Sequence, residues 1–115
     1  MKPYYLILFA LPVYADFSTI AYNERQPGMT CAQYAEAVKS HYPKAVIHAG
    51  YFRFTEHAIV CTPDESQCAD NIITSKGMIY PLSDFKRRIE YIGGNVVFIN
   101  GVAVMRSGNQ LIVFQ

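Results

Sequence analysis

Residues 48–61 read HAGYFRFTEHAIVC and concentrate the side chains of this chain that are best suited to chemistry. They contain His48 and His57, two of the three histidines, and Cys61, one of the three cysteines. A cysteine becomes a nucleophile when a base or a positive charge lies close to its sulfur, because the thiolate is the reactive form. His57 and Cys61 are therefore a candidate nucleophilic pair, and a chain that used them would be a small secreted hydrolase.

A metal site would need three or four side chains of this segment to converge on one ion. The possible ligands are His48, Glu56, His57 and Cys61. Their spacing matches no established zinc pattern, since the chain has no Cys-x-x-Cys pair and no His-x-x-x-His pair. We therefore expect no metal ion and no cofactor.

Two β-strands explain the same residues more simply. Alternation along the first strand places Phe52 and Phe54 on the buried face, and Tyr51 and Arg53 on the opposite face. Residues 55–57 would then form a tight connection to the second strand. Tyrosine and arginine are the side chains most often found as anchors in protein interfaces. Tyr51 and Arg53 are therefore the candidate residues for binding a protein partner.

The cysteines bear on the cellular compartment as well as on chemistry. Cys61 and Cys68 flank the polar loop TPDESQ, so a disulfide between them would close a short loop between two strands. We favour this pair because the two residues are close in sequence, and pairing of Cys31 with either of them is the open alternative. All three cysteines would be reduced if the chain stayed in a reducing compartment.

Residues 1–15, MKPYYLILFALPVYA, have the layout of a secretory signal peptide. Lys2 precedes an apolar run, and Val13, Tyr14 and Ala15 form a small-residue cleavage site. We therefore expect this segment to be removed and the product to be secreted or periplasmic. The alternative is a buried first strand of a cytosolic protein. The apolar run is too short to cross a bilayer as a helix, so we expect no stable membrane anchor.

Length and composition bound the remaining possibilities. A chain of 115 residues fits one domain, which we expect at residues 16–115. With 51% hydrophobic and 17% charged residues, it should form a packed core. Its formal net charge of +1 creates no basic field to attract phosphates, so we expect no nucleic-acid partner.

Two short helices should position the strands. Thr30 and Gln33 form a capping-box pair at the start of a helix that ends near Tyr42. Residues 17–22, which precede this helix, are expected to be extended. Ser83 should cap a second helix over residues 84–92.

The rest of the chain is rich in short β-forming runs. Strands are expected at 45–48, 51–54, 58–61, 72–74 and 78–82, with a turn at 75–77. Asn100 and Gly101 lie between two β-branched runs and favour a type I′ hairpin turn, which predicts a three-stranded antiparallel meander up to the C-terminus. The predicted fold class is α+β, with two short helices packed on antiparallel β-sheet and a closing three-stranded β-meander.

Two short segments resemble a known family. HAGYF at 48–52 and SKGMIYP at 75–81 are similar to the opening of phosphodiester glycosidase domains. The resemblance covers a small part of the chain, and such a domain is longer than this whole sequence, so we infer no family from it.

Composition favours a binding role. The nine tyrosines provide rigid surfaces with one polar end, which suit protein interfaces. We therefore predict a small exported protein-binding domain, of the inhibitor, immunity or envelope and secretion accessory type, without catalytic machinery. The alternatives are the small secreted hydrolase that uses His57 and Cys61, and a structural subunit that self-assembles through an edge strand. A pocket with convergent polar groups would favour an enzyme.

Overall fold

A computed structural model describes residues 16–71 and 79–114 of the chain. Within these ranges it has three helices and two antiparallel sheets. The helices are α1 (Phe17–Asn23), α2 (Cys31–His41) and α3 (Leu82–Arg88). The strands are β1 (Val46–Phe52), β2 (Thr55–Cys61), β3 (Cys68–Ala69), β4 (Glu90–Gly93), β5 (Val97–Ile99), β6 (Val102–Ser107) and β7 (Gln110–Phe114). The predicted α+β class and the closing three-stranded antiparallel meander are confirmed.

The first sheet has the strand order β3-β2-β1-β4, and the second has the order β5-β6-β7. β1 and β2 form a hairpin in which Val46 pairs with Cys61. The strands predicted separately at 45–48 and 51–54 are replaced by the single strand β1, and residues 53 and 54 lie in the turn that follows it. In the second sheet, Asn100 and Gly101 form the predicted turn, and their φ angles of 52° and 80° are those that a type I′ turn requires.

Helix α2 begins with the predicted capping box. The Thr30 side chain accepts a hydrogen bond from the Gln33 backbone N–H, and the Gln33 side chain accepts one from the Thr30 backbone N–H. The inner side of α2 buries Tyr34 and Val38 and packs on β2. The Tyr34 hydroxyl donates to the carbonyl of Ala21, which joins α2 to α1.

The prediction of an extended segment at 17–22 is wrong, because these residues lie in α1. The Asp16 carboxylate caps this helix by accepting a hydrogen bond from the backbone N–H of Thr19. Phe17 and Ile20 follow at helical spacing, and both are buried. The helix buries both Phe17 and Ile20 on one side, whereas a strand would have placed them on opposite faces.

The second predicted helix is shorter than expected. Its N-cap residue is Pro81, not Ser83, and it ends at Arg88. Residues 90–93 form β4, which pairs with β1, so hydrogen bonds to the sheet replace those of a last helical turn. Phe85 faces inward and anchors α3 on the sheet.

Two hydrophobic clusters cover the two faces of the first sheet. The larger cluster joins α1, α2 and both sheets, and it includes Phe17, Val60 and Phe114. The smaller cluster packs α3 on the other face and includes Ile59 and Phe85. Because neighbouring residues of β2 point to opposite faces, this strand is covered on both sides and its side chains have fixed positions.

Some predicted features lie outside the described residues. These are the signal peptide at 1–15, the strand at 72–74 and the turn at 75–77. Of the strand expected at 78–82, the structure has an isolated bridge between Tyr80 and Cys68. In the two described ranges, no helix is both long and apolar enough to cross a membrane.

Candidate functional site

The predicted disulfide between Cys61 and Cys68 is present. It joins β2 to β3 at a directly paired position, where the two Cα atoms are 4.0 Å apart. Cys31 stays outside the disulfide and is buried. A sulfur in a disulfide cannot act as a thiolate, so the structure does not contain the candidate nucleophilic pair of His57 and Cys61.

The turn between β1 and β2 is not where the sequence pattern places it. Its two residues are Arg53 and Phe54, with φ angles of 51° and 69°. These left-handed residues interrupt the strand alternation, so Phe52 and Phe54 are not core residues but are 46% and 98% exposed. His57 consequently lies inside β2 and not in a connection. Tyr51 is half-buried near the end of β1, and Arg53 is exposed.

His57 is influenced by two residues that are distant from it in the sequence. Its Nε2 atom is 3.2 Å from Oδ2 of Asp70, and Cys31 lies near enough to the ring to help raise the pKa of His57. Asp70 directly follows β3, and β3 pairs with β2, so the sheet brings the carboxylate alongside the imidazole. A helix start, a central strand and an edge strand thus assemble a Cys–His–Asp arrangement.

Asp70 is fully buried and is held by further donors. The Tyr80 hydroxyl donates to the same Oδ2 atom at 2.8 Å, and Arg25 Nη2 donates to the Asp70 backbone carbonyl at 3.1 Å. Tyr80 is fixed by two backbone hydrogen bonds to Cys68, which the disulfide ties to β2. These contacts satisfy the buried carboxylate and fix its orientation towards His57.

Cys31 is the first residue of α2 and directly follows the capping residue Thr30. Negative charge is favoured at this end of a helix by the macrodipole. The segment before α2 is attached to the β3 region, because the side-chain amide of Asn71 donates to the Met29 carbonyl at 2.7 Å. The capping box and this hydrogen bond together hold the thiol next to His57.

The surroundings of His57 favour its charged form. Burial of the ring lowers its pKa, but the hydrogen bonds and charges of Asp70 and Cys31 outweigh burial and raise the pKa of His57 to about 9. Burial and the Asp70 carboxylate both raise the pKa of Tyr80, so its hydroxyl remains a donor at neutral pH. His57 is therefore an imidazolium at neutral pH, in contact with a buried carboxylate and a thiol.

His48, the other histidine of the hairpin, has a different environment. It is 4% exposed, and its Nδ1 atom is 2.8 Å from the Tyr91 hydroxyl. Its Nε2 atom has no hydrogen-bond partner among the described residues. The ring packs so closely on Gly94 that a Cβ atom there would come within 2.7 Å of it. Burial lowers the pKa of His48, so this ring is neutral at neutral pH.

His57 lines a cleft between the β1–β2 turn and α3. The cleft has a volume of about 230 Å³, and we call it the apolar cleft. Phe52, Phe85 and Ile89 form its apolar walls, and Asp70 also reaches it. A concave apolar site with a few convergent polar groups is the usual form of a ligand-binding pocket.

A second, more open cleft adjoins the apolar cleft. Its lining residues are Tyr51, Arg53, Phe54, Arg87, Arg88, Ile89 and Glu90, and we call it the arginine cleft. Arg88 and Ile89 line both clefts, so the two are direct neighbours. Tyr51 and Arg53, the residues selected from the sequence for partner binding, therefore lie on a surface next to the His57 site.

Sequence reasoning missed two members of this site, Cys31 and Asp70. The position of Cys31 directly after the capping residue Thr30 was a usable signal, since reactive thiols are frequent at helix N-termini. Asp70 gave a weaker signal, because only the pairing of β3 with β2 places it near His57.

Neither a metal site nor a known relative indicates a function for this chain, so the functional proposal is based on the geometry of the described residues. Across residues 16–71 and 79–114, no group of three or more histidine, cysteine or acidic side chains is arranged to hold a metal ion. No protein-family model matches the chain, and no curated protein and no solved structure matches it.

Proposed function

We propose that this protein is a cysteine-dependent acyl-transfer enzyme of the hydrolase type. Cys31 is the nucleophile, His57 is the general acid and base, and Asp70 is the residue that positions His57. The observation that carries the proposal is that His57, which lines the apolar cleft, is hydrogen-bonded to Asp70 and has its pKa raised by both Asp70 and Cys31. The proposal adopts the hydrolase alternative of the sequence analysis, with Cys31 in the place of Cys61.

The proposed reaction has two steps. In the first step the thiolate form of Cys31 attacks the carbonyl carbon of an ester or amide and a thioester forms. The His57 imidazolium gives its proton to the leaving group as the acyl bond breaks. The neutral His57 ring then accepts a proton from a water molecule that attacks the thioester. The carboxylic acid leaves, and the thiolate and imidazolium are restored.

Asp70 keeps its charge throughout this reaction. Its carboxylate accepts the hydrogen bond from His57 Nε2 and stabilises the imidazolium, as the acid of a catalytic triad does. The bond from Tyr80 holds the same oxygen in place. Cys31 is 3% exposed and does not line the apolar cleft, whereas His57 does, so the proposal requires that an acyl group in the cleft reach the sulfur past His57.

Acetylation by p-nitrophenyl acetate tests the proposed function. We expect the ester to transfer its acetyl group to Cys31, which intact-protein mass spectrometry and peptide mapping would locate. The Cys31→Ala variant should lack this product, and His57→Ala should form it at least about 100-fold more slowly. Acetyl groups found only on other residues, or an unchanged rate in His57→Ala, would contradict the proposal.

A second candidate function is binding of a protein partner by an exported protein of the inhibitor, immunity or envelope accessory type. The observation in its favour is that Tyr51, Arg53 and the 98% exposed Phe54 lie together on the arginine cleft. Tyr51→Ala and Arg53→Ala should each weaken capture of such a partner without unfolding the protein. A partner that binds both variants as tightly as the wild type would remove this candidate.

We also propose that the protein is exported to the periplasm or the cell exterior. The Cys61–Cys68 disulfide supports this, because disulfides persist in oxidising compartments. N-terminal sequencing of protein recovered from the expressing host should find Asp16 as the first residue. An intact Met1 on cytosolic protein would contradict the proposal.

A further inference from the structure

Positive charge exceeds negative charge in the arginine cleft, where three guanidinium groups accompany one carboxylate. Arg87 forms an ion pair with Asp84, and the guanidinium of Arg53 lies 5.1 Å from the centre of the Phe52 ring. Arg88 takes part in no ion pair within the described ranges. Arginine binds planar carboxylates with two parallel N–H bonds, so this surface is suited to a carboxylate ligand.

The turn that presents Arg53 is made of residues that disfavour its conformation. Arg53 and Phe54 have φ angles of 51° and 69°, a region that side chains other than glycine rarely adopt. The β5–β6 turn also has two residues at positive φ, and there the chain uses Asn100 and Gly101, which suit it. A common turn sequence such as Asn-Gly would remove the backbone strain at Arg53 and Phe54. The presence of these two residues in a strained turn indicates that their side chains have a functional role.

We infer that the arginine cleft binds a carboxylate of the substrate, and that the acyl-transfer site therefore acts on acidic peptides. This inference rests on the proposed function, since it names the substrate of the same site. An apolar side chain of the peptide occupies the apolar cleft next to His57. A neighbouring acidic side chain then reaches Arg53 and Arg88, because Arg88 lines both clefts.

The volumes of the clefts agree with a peptide substrate. The apolar cleft has room for one side chain at about 230 Å³, and the arginine cleft adds about 360 Å³ beside it. The two clefts differ in chemistry. The first is mainly apolar, although Glu56, Asp70, Asp84 and Arg88 also line it, and the second is basic. A ligand that fills both must therefore carry an apolar group and an anionic group a short distance apart, as an acidic peptide does.

Internally quenched peptides would test the inference. Each peptide contains one leucine or phenylalanine, with glutamate placed at each neighbouring position in turn, and each has a partner in which glutamine replaces glutamate. For wild-type protein we expect kcat/KM to be at least about tenfold higher with glutamate than with glutamine at one of these positions. High salt should reduce this preference, because the arginine side chains are exposed.

Two changes should bring the kcat/KM values for the glutamate and glutamine peptides to the same level. The first is Arg88→Gln. The second is the double change Arg53→Asn with Phe54→Gly, which gives this turn the same residues as the β5–β6 turn and should stabilise the fold. Loss of selectivity in a more stable protein cannot be a consequence of unfolding.

Lys86→Gln is the matched control. Lys86 lies on the same helix, but its ammonium group is 4.5 Å from the centre of the Tyr91 ring and is not part of the arginine cleft. The change removes one positive charge from α3, as Arg88→Gln does. We expect the preference for glutamate to survive it.

The outcomes separate this inference from the proposed function. Equal kcat/KM for glutamate and glutamine peptides in the wild type would overturn the inference, as would a preference that survives both cleft variants. Wild-type protein that is acetylated at Cys31 but cleaves no peptide would also overturn it and leave acyl transfer in place. Absence of acetylation at Cys31 would overturn the proposed function itself.

Discussion

His48 and His57 lie on the two strands of one hairpin, and the structure surrounds them with different partners. His57 is hydrogen-bonded to Asp70, and Asp70 and Cys31 together raise the pKa of His57 to about 9 despite burial. His48 is hydrogen-bonded to the Tyr91 hydroxyl, and burial lowers its pKa. At neutral pH one ring is therefore a cation next to a thiol, and the other is a neutral part of the packing.

The difference shows that reactivity is not a property of the hairpin segment by itself. Both histidines come from the same sequence pattern, and the residues that distinguish them come from outside it. Cys31 is contributed by the start of α2, and Asp70 by the end of β3. Changes to His57 and its partners should therefore alter chemistry, whereas changes to His48 should alter only packing.

The largest expected effect is that of removing the nucleophile or its base. Cys31→Ser and His57→Ala should each lower kcat/KM for ester hydrolysis by about 10³-fold or more, because each removes a group that reacts directly. His48→Gln is the matched change on the other strand and should leave kcat/KM nearly unchanged. Steady-state assays on variants whose folding has been checked by circular dichroism measure these effects. Equal losses of kcat/KM in His57→Ala and His48→Gln would contradict the distinction between the two histidines.

Asp70→Asn should have the next largest effect, a loss of about 10²- to 10⁴-fold in kcat. Asparagine keeps the size of the side chain but lacks the charge that stabilises the imidazolium. The pKa of His57 should therefore fall, and the alkaline limb of the pH–rate profile should move to lower pH. A reduced rate with an unmoved alkaline limb would show that Asp70 has only a structural role.

Removal of the disulfide should have an intermediate effect on stability. The double variant Cys61→Ala with Cys68→Ala should lower the free energy of unfolding by about 2–3 kcal/mol, because the cross-link no longer restricts the unfolded chain. Urea titration measures the change. Activity should also fall, since β3 carries Asp70 and is held to β2 by this bond. An unchanged unfolding midpoint would show that the bond does not stabilise this hairpin.

The smallest expected effect is on the pH dependence of stability, to which the two histidines contribute with opposite sign. The pKa of His57 is raised from 6.5 to about 9, so its contribution is fully present below pH 6.5 and is lost as the pH rises through about 9. The pKa of His48 is lowered from 6.5, so its contribution is present above pH 6.5 and is lost as the pH falls.

Denaturant midpoints measured on both sides of neutrality would test these signs. His57→Gln should flatten the alkaline side of the stability curve, and His48→Gln should flatten the acidic side. The comparison between the two histidines fails if both variants flatten the same side.

The features that the sequence predicted correctly depend on local signals. Thr30 and Gln33 specify the start of α2, Asn100-Gly101 specifies the hairpin turn of the meander, and the short loop between Cys61 and Cys68 specifies the disulfide. In each case the residues that decide the structure are neighbours in the chain.

The features that the sequence did not predict depend on long-range pairing or on unusual turn chemistry. Residues 90–93 leave the helical pattern because β1 offers them a pairing edge. Arg53 and Phe54 form a turn without any of the usual turn residues. Cys31 and Asp70 come near His57 only through the docking of α2 and the strand order of the first sheet, so no local pattern could have predicted the site.

The central claim is that Cys31 and His57 form a reactive pair, and the rate of alkylation by iodoacetamide tests it most directly. Cys61 and Cys68 are joined to each other, so in the folded protein the rate reports on Cys31. We predict rapid alkylation of the wild type at neutral pH and a rate at least about tenfold lower in His57→Ala, because a neighbouring base or positive charge promotes attack by a cysteine sulfur. The difference in alkylation rate between the wild type and His57→Ala should disappear as the pH rises through about 9, where His57 loses its proton. A native thiol that does not react, or identical pH profiles in the two proteins, would contradict the claim.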